Sequence, residues 1–280
     1  MTLWNAIILG IVQGIAEFLP ISSSGHLSVL QNLFHMSTAE NGHMFFDVLL
    51  HFGTLISICI VYWKDIVAMV RETLLVLSGK GGVKAADGKR RSLPAARMVL
   101  MIIFATLPLV LIMPIKDRVE QLYYHTIAIG LFFIITGFIL FVSDKMPRGT
   151  RTEKNMRVTD ALIIGLCQCV ATIPGISRSG STITAGMATG LDRDYAVKFS
   201  FMMSIPAVLG ASLLTLIDAI KTGIDVSLLP VYLAGMVVST VVGVFAIKLV
   251  KSITSKGKFG NFAYYCWTAG ALTILLSLLF

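Results

Sequence analysis

Long apolar runs separated by short polar segments dominate the chain. Six of these runs come near the roughly 20 residues that a helix needs to cross a bilayer, and each is predicted to be a transmembrane helix. They occupy residues 44–63, 97–115, 124–142, 196–219, 229–250 and 261–280. Two other apolar segments are too short to cross, because Pro20 ends the first and Pro174 ends the second. A polar turn and a second helical stretch, at 24–36 and 180–190, follow these two segments, which predicts two re-entrant helical hairpins.

The two short segments repeat one sequence. GIVQGIAEFLPISSSGHL at residues 10–27 matches GLCQCVATIPGISRSGST at 165–182, which indicates two copies of one structural unit. The copies differ in their chemically active residues, which pair as Glu17 with Thr172, Ser23 with Arg178, and His26 with Ser181. We therefore expect one membrane domain, 1–280, built from repeats at 1–142 and 158–280, with complementary halves of one site.

Composition and the distribution of charge indicate the environment in which this chain folds. Hydrophobic residues make up 56% and charged residues 14%, and the mean hydropathy is +0.83, whereas soluble domains carry roughly 25% charged residues. The formal net charge is +8, but 17 of the 23 Lys and Arg residues lie in Lys64–Arg97, Lys145–Arg157 and Lys248–Lys258. Such clustering is typical of cytoplasmic loops. The sequence predicts a multi-pass membrane protein, without a nucleic-acid partner.

The basic stretches also set the orientation of the helices. If all three are cytoplasmic, the chain must cross the membrane an even number of times between each pair. Residues 97–142 and 196–250 each supply two crossings, so the hairpins must enter and leave on one side. The first hairpin then dips in from outside and the second from the cytoplasm. This is an inverted-topology repeat of six transmembrane helices plus two re-entrant hairpins, with a site where the hairpin tips meet.

The first hairpin carries an acid inside an apolar helix. An ionised Glu17 at the centre of a membrane helix costs roughly 2.5–3.5 kcal/mol, so an acid there is a functional candidate. Gln13 lies one helical turn before it. Ser22, Ser23 and His26 follow at a helix start, where backbone N–H groups attract anions, and carboxylate, imidazole and hydroxyl together can activate a nucleophile. The structural alternatives are a surface acid bonded to the turn and serines that only cap the helix.

The second hairpin carries a cation in the same register. Arg178 follows Ser177 at the helix break, and a guanidinium binds phosphate through two parallel hydrogen bonds. Ser179 and Thr182 lie in the same run. A structural ion pair between Arg178 and Glu17 is the alternative. Outside both hairpins, Asp47 and His51 lie four residues apart at the outer start of the first full span, where we place the entrance.

The pairing of QGIAEFLPISSSGHL with PGISRSGST resembles the undecaprenyl-pyrophosphate phosphatases, also called bacitracin-resistance proteins. The resemblance extends over essentially the whole chain. It implies a bacterial inner-membrane enzyme that removes the terminal phosphate of undecaprenyl pyrophosphate on the extracytoplasmic side, recycles the cell-wall lipid carrier and depends on a divalent cation. Many family members have a second glutamate where this chain has Gln13.

The resemblance implies a role for each motif residue. Glu17, Ser23, His26 and Arg178 are the predicted catalytic residues, with Glu17 as base or as ligand of Mg²⁺ or Ca²⁺. Residues predicted to bind the substrate are Gln13, Ser22, Ser177, Ser179 and Thr182. The resemblance does not choose among His26, Ser23 and water as the nucleophile. It also does not choose between a monomer and a homodimer. The alternative function is a polyprenyl-phosphate transporter, because inverted repeats with broken helices are also typical of transporters.

Overall fold

The structure is built from helices. The computed structural model describes residues 1–33, 43–79, 93–222 and 226–279. Its α-helices, in chain order, are α1 (Leu3–Ala16), α2 (Ser23–Leu33), α3 (His43–Val61), α4 (Trp63–Leu77), α5 (Pro94–Thr106), α6 (Lys116–Gln121), α7 (Thr126–Ser143), α8 (Val158–Val170), α9 (Arg178–Ala188), α10 (Arg193–Thr222), α11 (Leu229–Ser255) and α12 (Phe262–Leu279). The predicted all-α fold is confirmed.

Five helical segments in the described ranges are long and apolar enough to cross a membrane. They are Pro94–Tyr124, Thr126–Ser143, Arg193–Ile217, Leu229–Ser255 and Phe259–Leu279. Between 22% and 39% of the residues in the most apolar part of each span are buried in the protein. The rest is an apolar surface of the kind that faces lipid, so the chain is a multi-pass membrane protein.

The first predicted span, 44–63, differs from the others. Helices α3 and α4 are long and apolar enough to cross a membrane only when they are taken together. They are bent by 81° at Tyr62. Helix α4 is bound through its polar side chains, since Asp65 pairs with Lys198 at 2.6 Å and Glu72 accepts hydrogen bonds from the N–H groups of Ala95 and Ala96. A carboxylate at the start of α5 is favourable because the helix N-terminus carries unpaired N–H groups.

The span that begins with α5 changes its helical form midway. Residues Leu107–Ile115 form a 3₁₀-helix between α5 and α6. Pro108 and Pro114 lie within it, and proline removes the N–H that an α-helix needs at that place. The predicted span 97–115 therefore extends to Tyr124 with a tighter middle section.

The described parts of the three basic stretches lie close together. Arg97 of the first stretch donates to the carbonyl of Met156 in the second, at 2.7 Å. Lys251 of the third lies with its Nζ 5.3 Å from the centre of the Tyr62 ring, two residues before Lys64 of the first. Residues 80–92, in the middle of the first stretch, lie outside the described ranges.

Each broken hairpin packs against a long span from the other half of the chain. Helix α1 packs on α11, and α8 packs on α5. A side chain at Gly10 would collide with the carbonyl oxygen of Gly235, and one at Gly165 with that of Ala105. These glycines occupy matching places in the two copies, so both copies need the same close approach. Helices α3 with α10, and α7 with α12, also pack together.

The orientation of the helices predicts the sidedness of exposed residues. In a variant without Cys59, Cys167, Cys169 and Cys266, a single cysteine at Thr2 should react with a membrane-impermeant maleimide from outside the cell. Cysteines at Ser78 or Ser255 should react only in inside-out vesicles, because the basic stretches beside them are predicted to be cytoplasmic. All three positions are exposed.

Reaction after lysis serves as the control for reactivity at each position. If the cysteines at positions 2 and 78 react from the same side, the predicted number of membrane crossings is wrong. The inverted orientation of the hairpins, which depends on that number, is then wrong as well.

Candidate active site

The turn of the first hairpin is held by the Ser22 hydroxyl. Ser22 adopts a φ of 68°, a left-handed conformation that is unusual for a residue with a side chain. Its Oγ accepts hydrogen bonds from the N–H groups of Gly25 at 3.4 Å and Gly175 at 3.2 Å. Both bonds compensate for the strained backbone of Ser22. The bond to Gly175 also joins the two turns, because Gly175 belongs to the second hairpin.

The turn of the second hairpin is organised by a residue outside both motifs. Thr136 of α7 donates its hydroxyl to the carbonyl of Gly175 at 2.9 Å and accepts from the N–H of Ser177 at 3.1 Å. Ser177 caps α9, since its Oγ accepts from the N–H of Gly180 at 3.0 Å. Gly175 has a φ of 95°, which glycine adopts without steric cost.

The two hairpin tips are in direct contact. The Ser179 hydroxyl donates to the carbonyl of Leu19 at 3.1 Å. A side chain at Gly25 would lie 2.9 Å from the Cα of Gly175, so only glycine allows the turns to approach this closely. The structure therefore brings together the two interruptions of the apolar helices.

Glu17 lies at the centre of this contact. Its Oε1 pairs with the guanidinium of Arg178. Its Oε2 accepts from the Ser23 hydroxyl at 2.7 Å and from the Gln13 amide at 3.0 Å. The side chain is buried, so these partners compensate for the loss of water around the charge.

A small cavity lies between the two turns, beside this cluster. Its volume is about 30 Å³, which suits about one water molecule. The residues lining it are Ala16, Glu17, Ser22, Ser23, Ser24, Ala171, Ile176, Ser177, Arg178 and Ser179. The ion pair of Glu17 and Arg178 therefore lines a space between the two turns that holds about one water molecule.

His26 is engaged on both ring nitrogens. Nδ1 lies 2.7 Å from the carbonyl oxygen of Ser22, and Nε2 lies 2.8 Å from the hydroxyl of Tyr265. The ring also packs on Phe133, with centroids 4.8 Å apart. Of the predicted carboxylate, imidazole and hydroxyl, the structure joins only the Glu17 carboxylate and the Ser23 hydroxyl, because the His26 nitrogens contact the turn and α12.

Thr182, which was predicted to bind the substrate, has structural contacts instead. The Thr182 hydroxyl lies 2.6 Å from the Ser200 hydroxyl and donates to the carbonyl of Arg178, which attaches α9 to α10. Gln168, the counterpart of Gln13, is buried, and within the described part of the chain its amide atoms have no hydrogen-bond partner. The residue matching Glu17 is Thr172, so the second copy lacks the acid that Gln13 contacts.

His51 of α3 approaches the same carboxylate. Its Nε2 lies 4.0 Å from Glu17 Oε2. His51 was placed at the entrance by its position in the sequence, but nothing in the motifs indicated a contact with Glu17.

Comparison with known proteins identifies the family. The family model described as bacitracin resistance protein BacA matches residues 6–272. The chain belongs to the BacA family. A relative from Alkaliphilus metalliredigens is 42% identical over 100% of both chains, and one from Methanosphaera stadtmanae is 40% identical over 98% of this chain and 97% of the relative. Both are named undecaprenyl-diphosphatase.

This BacA member offers oxygen ligands for a cation at Glu17. Among the described residues, no group of three or more His, Cys, Asp or Glu side chains could hold a metal. Gln13 Oε1 is nevertheless buried, and within the described ranges it has no hydrogen-bond partner. An amide oxygen beside a carboxylate fits Mg²⁺ or Ca²⁺, which take oxygen ligands and complete their shells with phosphate or water.

The position of Thr136 predicts how the second turn of this BacA chain is stabilised. Thr136→Val keeps the shape of the side chain but leaves the Gly175 carbonyl and the Ser177 N–H without their partner. An unsatisfied buried polar group costs about 1–3 kcal/mol, so we expect a lower midpoint of thermal unfolding in detergent.

Thr268→Val is the matched control, because the Thr268 hydroxyl donates only to the carbonyl of Tyr264 in its own helix. Thr136→Ser should restore most of the loss. An unfolding midpoint equal to that of the unsubstituted protein would show that the turn does not depend on Thr136.

Proposed function

We propose that this chain is a membrane phosphatase that hydrolyses undecaprenyl pyrophosphate to undecaprenyl phosphate and inorganic phosphate, and thereby recycles the lipid carrier of cell-wall synthesis. Relatives that match it over their full length are named for this activity. The observation that carries the proposal is the Glu17 carboxylate, which holds both a hydroxyl and a guanidinium where two broken helices meet. Phosphoryl transfer requires mainly such positioning and charge stabilisation.

The nucleophile in this proposal is Ser23. Its hydroxyl already donates to Glu17 Oε2 at 2.7 Å, so the carboxylate is placed to accept the proton as Ser23 Oγ bonds to the terminal phosphorus. The bond from that phosphorus to the bridging oxygen breaks, and undecaprenyl phosphate leaves. A water molecule then displaces the phosphate from Ser23, which releases inorganic phosphate and restores the hydroxyl.

Arg178 and the serines of the second turn bind the phosphate oxygens. When the diphosphate enters, the guanidinium exchanges the carboxylate of Glu17 for phosphate oxygens, which match its two parallel donors. Ser177 and Ser179 line the same cavity, so their hydroxyls can donate as negative charge develops. Ser22 acts by holding the turns together, and Thr182 by fixing α9.

A divalent cation would be held by Glu17 and Gln13. When bound, Mg²⁺ or Ca²⁺ neutralises charge on the diphosphate oxygens. In this chain an amide stands where a second carboxylate could be, so the site contributes one negative charge to the cation. This favours binding of the cation together with the substrate, whose oxygens complete the ligand set.

The proposed topology is an inverted repeat in the plasma membrane, with the site opening on the extracytoplasmic side. The contacts exchanged between the halves support it, since α1 packs on α11 while α8 packs on α5. The basic stretches, whose described parts lie close together, support the sidedness. The alternative, a polyprenyl-phosphate transporter, depends on the repeat alone and is not favoured, because the relatives are named as diphosphatases.

Purified protein in detergent should release phosphate from undecaprenyl pyrophosphate, where no second compartment exists for transport. Glu17→Gln, Ser23→Ala and Arg178→Lys should each lower turnover by roughly 100-fold or more, because each removes a group that acts on the transferred phosphate. Phosphate release and thermal unfolding should be measured on the same preparations.

The matched controls are Glu120→Gln and Arg118→Lys, which alter exposed side chains outside the site. They should retain the activity of the unsubstituted protein. If all three site variants stay folded and hydrolyse the substrate at the unsubstituted rate, the site is elsewhere.

Removal of divalent cations should abolish hydrolysis, because Arg178 alone cannot balance the several charges of a diphosphate. Excess chelator should stop phosphate release, and added Mg²⁺ or Ca²⁺ should restore it. Gln13→Glu should lower the cation concentration that gives half-maximal activity, since it adds a second carboxylate ligand. Full activity in excess chelator would remove the cation from the mechanism.

A further inference from the structure

His51 has one ring nitrogen fixed by the backbone and one directed toward the site. Nδ1 lies 2.8 Å from the carbonyl oxygen of Asp47. A carbonyl only accepts hydrogen bonds, so Nδ1 carries the hydrogen and the ring orientation is fixed. Nε2 then faces Glu17 Oε2 at 4.0 Å, which is too long for a hydrogen bond.

This arrangement distinguishes His51 from His26. Both nitrogens of His26 are bound, to Ser22 and Tyr265, whereas Nε2 of His51 is near a polar group without bonding to it. A 4.0 Å separation leaves room for an oxygen atom beside the line between Nε2 and Oε2 to contact both groups.

His51 is more exposed than the carboxylate that it approaches. Its side chain is 32% exposed, while that of Glu17 is 6% exposed. Arg178 binds Glu17 Oε1, whereas His51 approaches Oε2. The imidazole and the guanidinium therefore approach different oxygens of the carboxylate, and a group that enters beside Glu17 has access to both.

We propose that His51 is a further substrate-contacting residue, whose Nε2 binds an oxygen of the diphosphate while Arg178 binds others. In the neutral ring, whose hydrogen is on Nδ1, Nε2 accepts from a protonated diphosphate oxygen, and in the protonated ring it donates to an ionised one. This inference rests on the proposed function and extends it, because α3 belongs to neither motif and thus supplies a third element to the site.

The test is substitution of His51 with two independent readings of diphosphate binding. His51→Ala should raise KM for undecaprenyl pyrophosphate, and the inhibition constant of inorganic pyrophosphate as competitor, by about tenfold or more, the usual effect of losing a hydrogen bond to a charged group. The value of kcat should change less. His51→Gln, which keeps an amide at a similar reach, should recover part of the affinity.

His125→Ala is the matched control, since His125 is exposed at the start of α7, and should leave both constants unchanged. If His51→Ala lowers the unfolding midpoint, the folded His51→Asn variant decides, because its amide is too short to replace Nε2. An unchanged KM and inhibition constant in the folded His51→Ala or His51→Asn protein would overturn this inference while leaving the phosphatase intact.

If the unsubstituted protein releases no phosphate, the proposed function fails instead. Calorimetric binding of inorganic pyrophosphate to the unsubstituted, His51→Ala and His51→Asn proteins then tests His51 separately.

Discussion

The ion pair between Glu17 and Arg178 forms where two interrupted helices meet, and both turns are shaped around it. The Glu17 carboxylate is buried, and a buried ion without its partner costs several kcal/mol, so the Arg178 guanidinium stabilises it. The pair therefore requires the two halves of the chain to assemble together. The Ser22, Thr136 and Ser179 hydroxyls serve the same requirement, because they satisfy the backbone groups that the broken helices leave unpaired.

The two hairpins share motif positions but not a chemistry. Gln13 and Gln168 occupy matching places, yet only Gln13 has a carboxylate one turn away. Gly10 and Gly165 likewise match, and both are required for contact with a long span. Residues that shape the scaffold are thus repeated, whereas the Glu17 carboxylate, the Ser23 hydroxyl bonded to it and the Arg178 guanidinium each occur in one copy. Such a division allows the scaffold to be stabilised independently of the reaction.

Much of the architecture could be predicted from the sequence. The apolar runs gave the spans, and the repeated motif indicated that Glu17 and Arg178 would meet. Contacts made by residues outside the motifs were not predictable, because Thr136, Tyr265 and His51 lie in ordinary-looking apolar helices whose rotation is set by packing. The bend at Tyr62 was also missed, since α3 and α4 form a nearly continuous helical pattern. His26 was expected beside Glu17, but local spacing does not specify which way a ring turns after a tight turn.

The small size of the cavity between the turns has a consequence for the release of product. In the proposed mechanism a phosphate group takes the Arg178 guanidinium from Glu17, so its net affinity is a difference between two ion pairs. A diphosphate carries more charge and more oxygens than either product, so it competes best. Once the anhydride is cleaved, each product is the weaker competitor, and the carboxylate can reclaim the guanidinium. The Glu17 carboxylate thus favours release of the products and limits product inhibition.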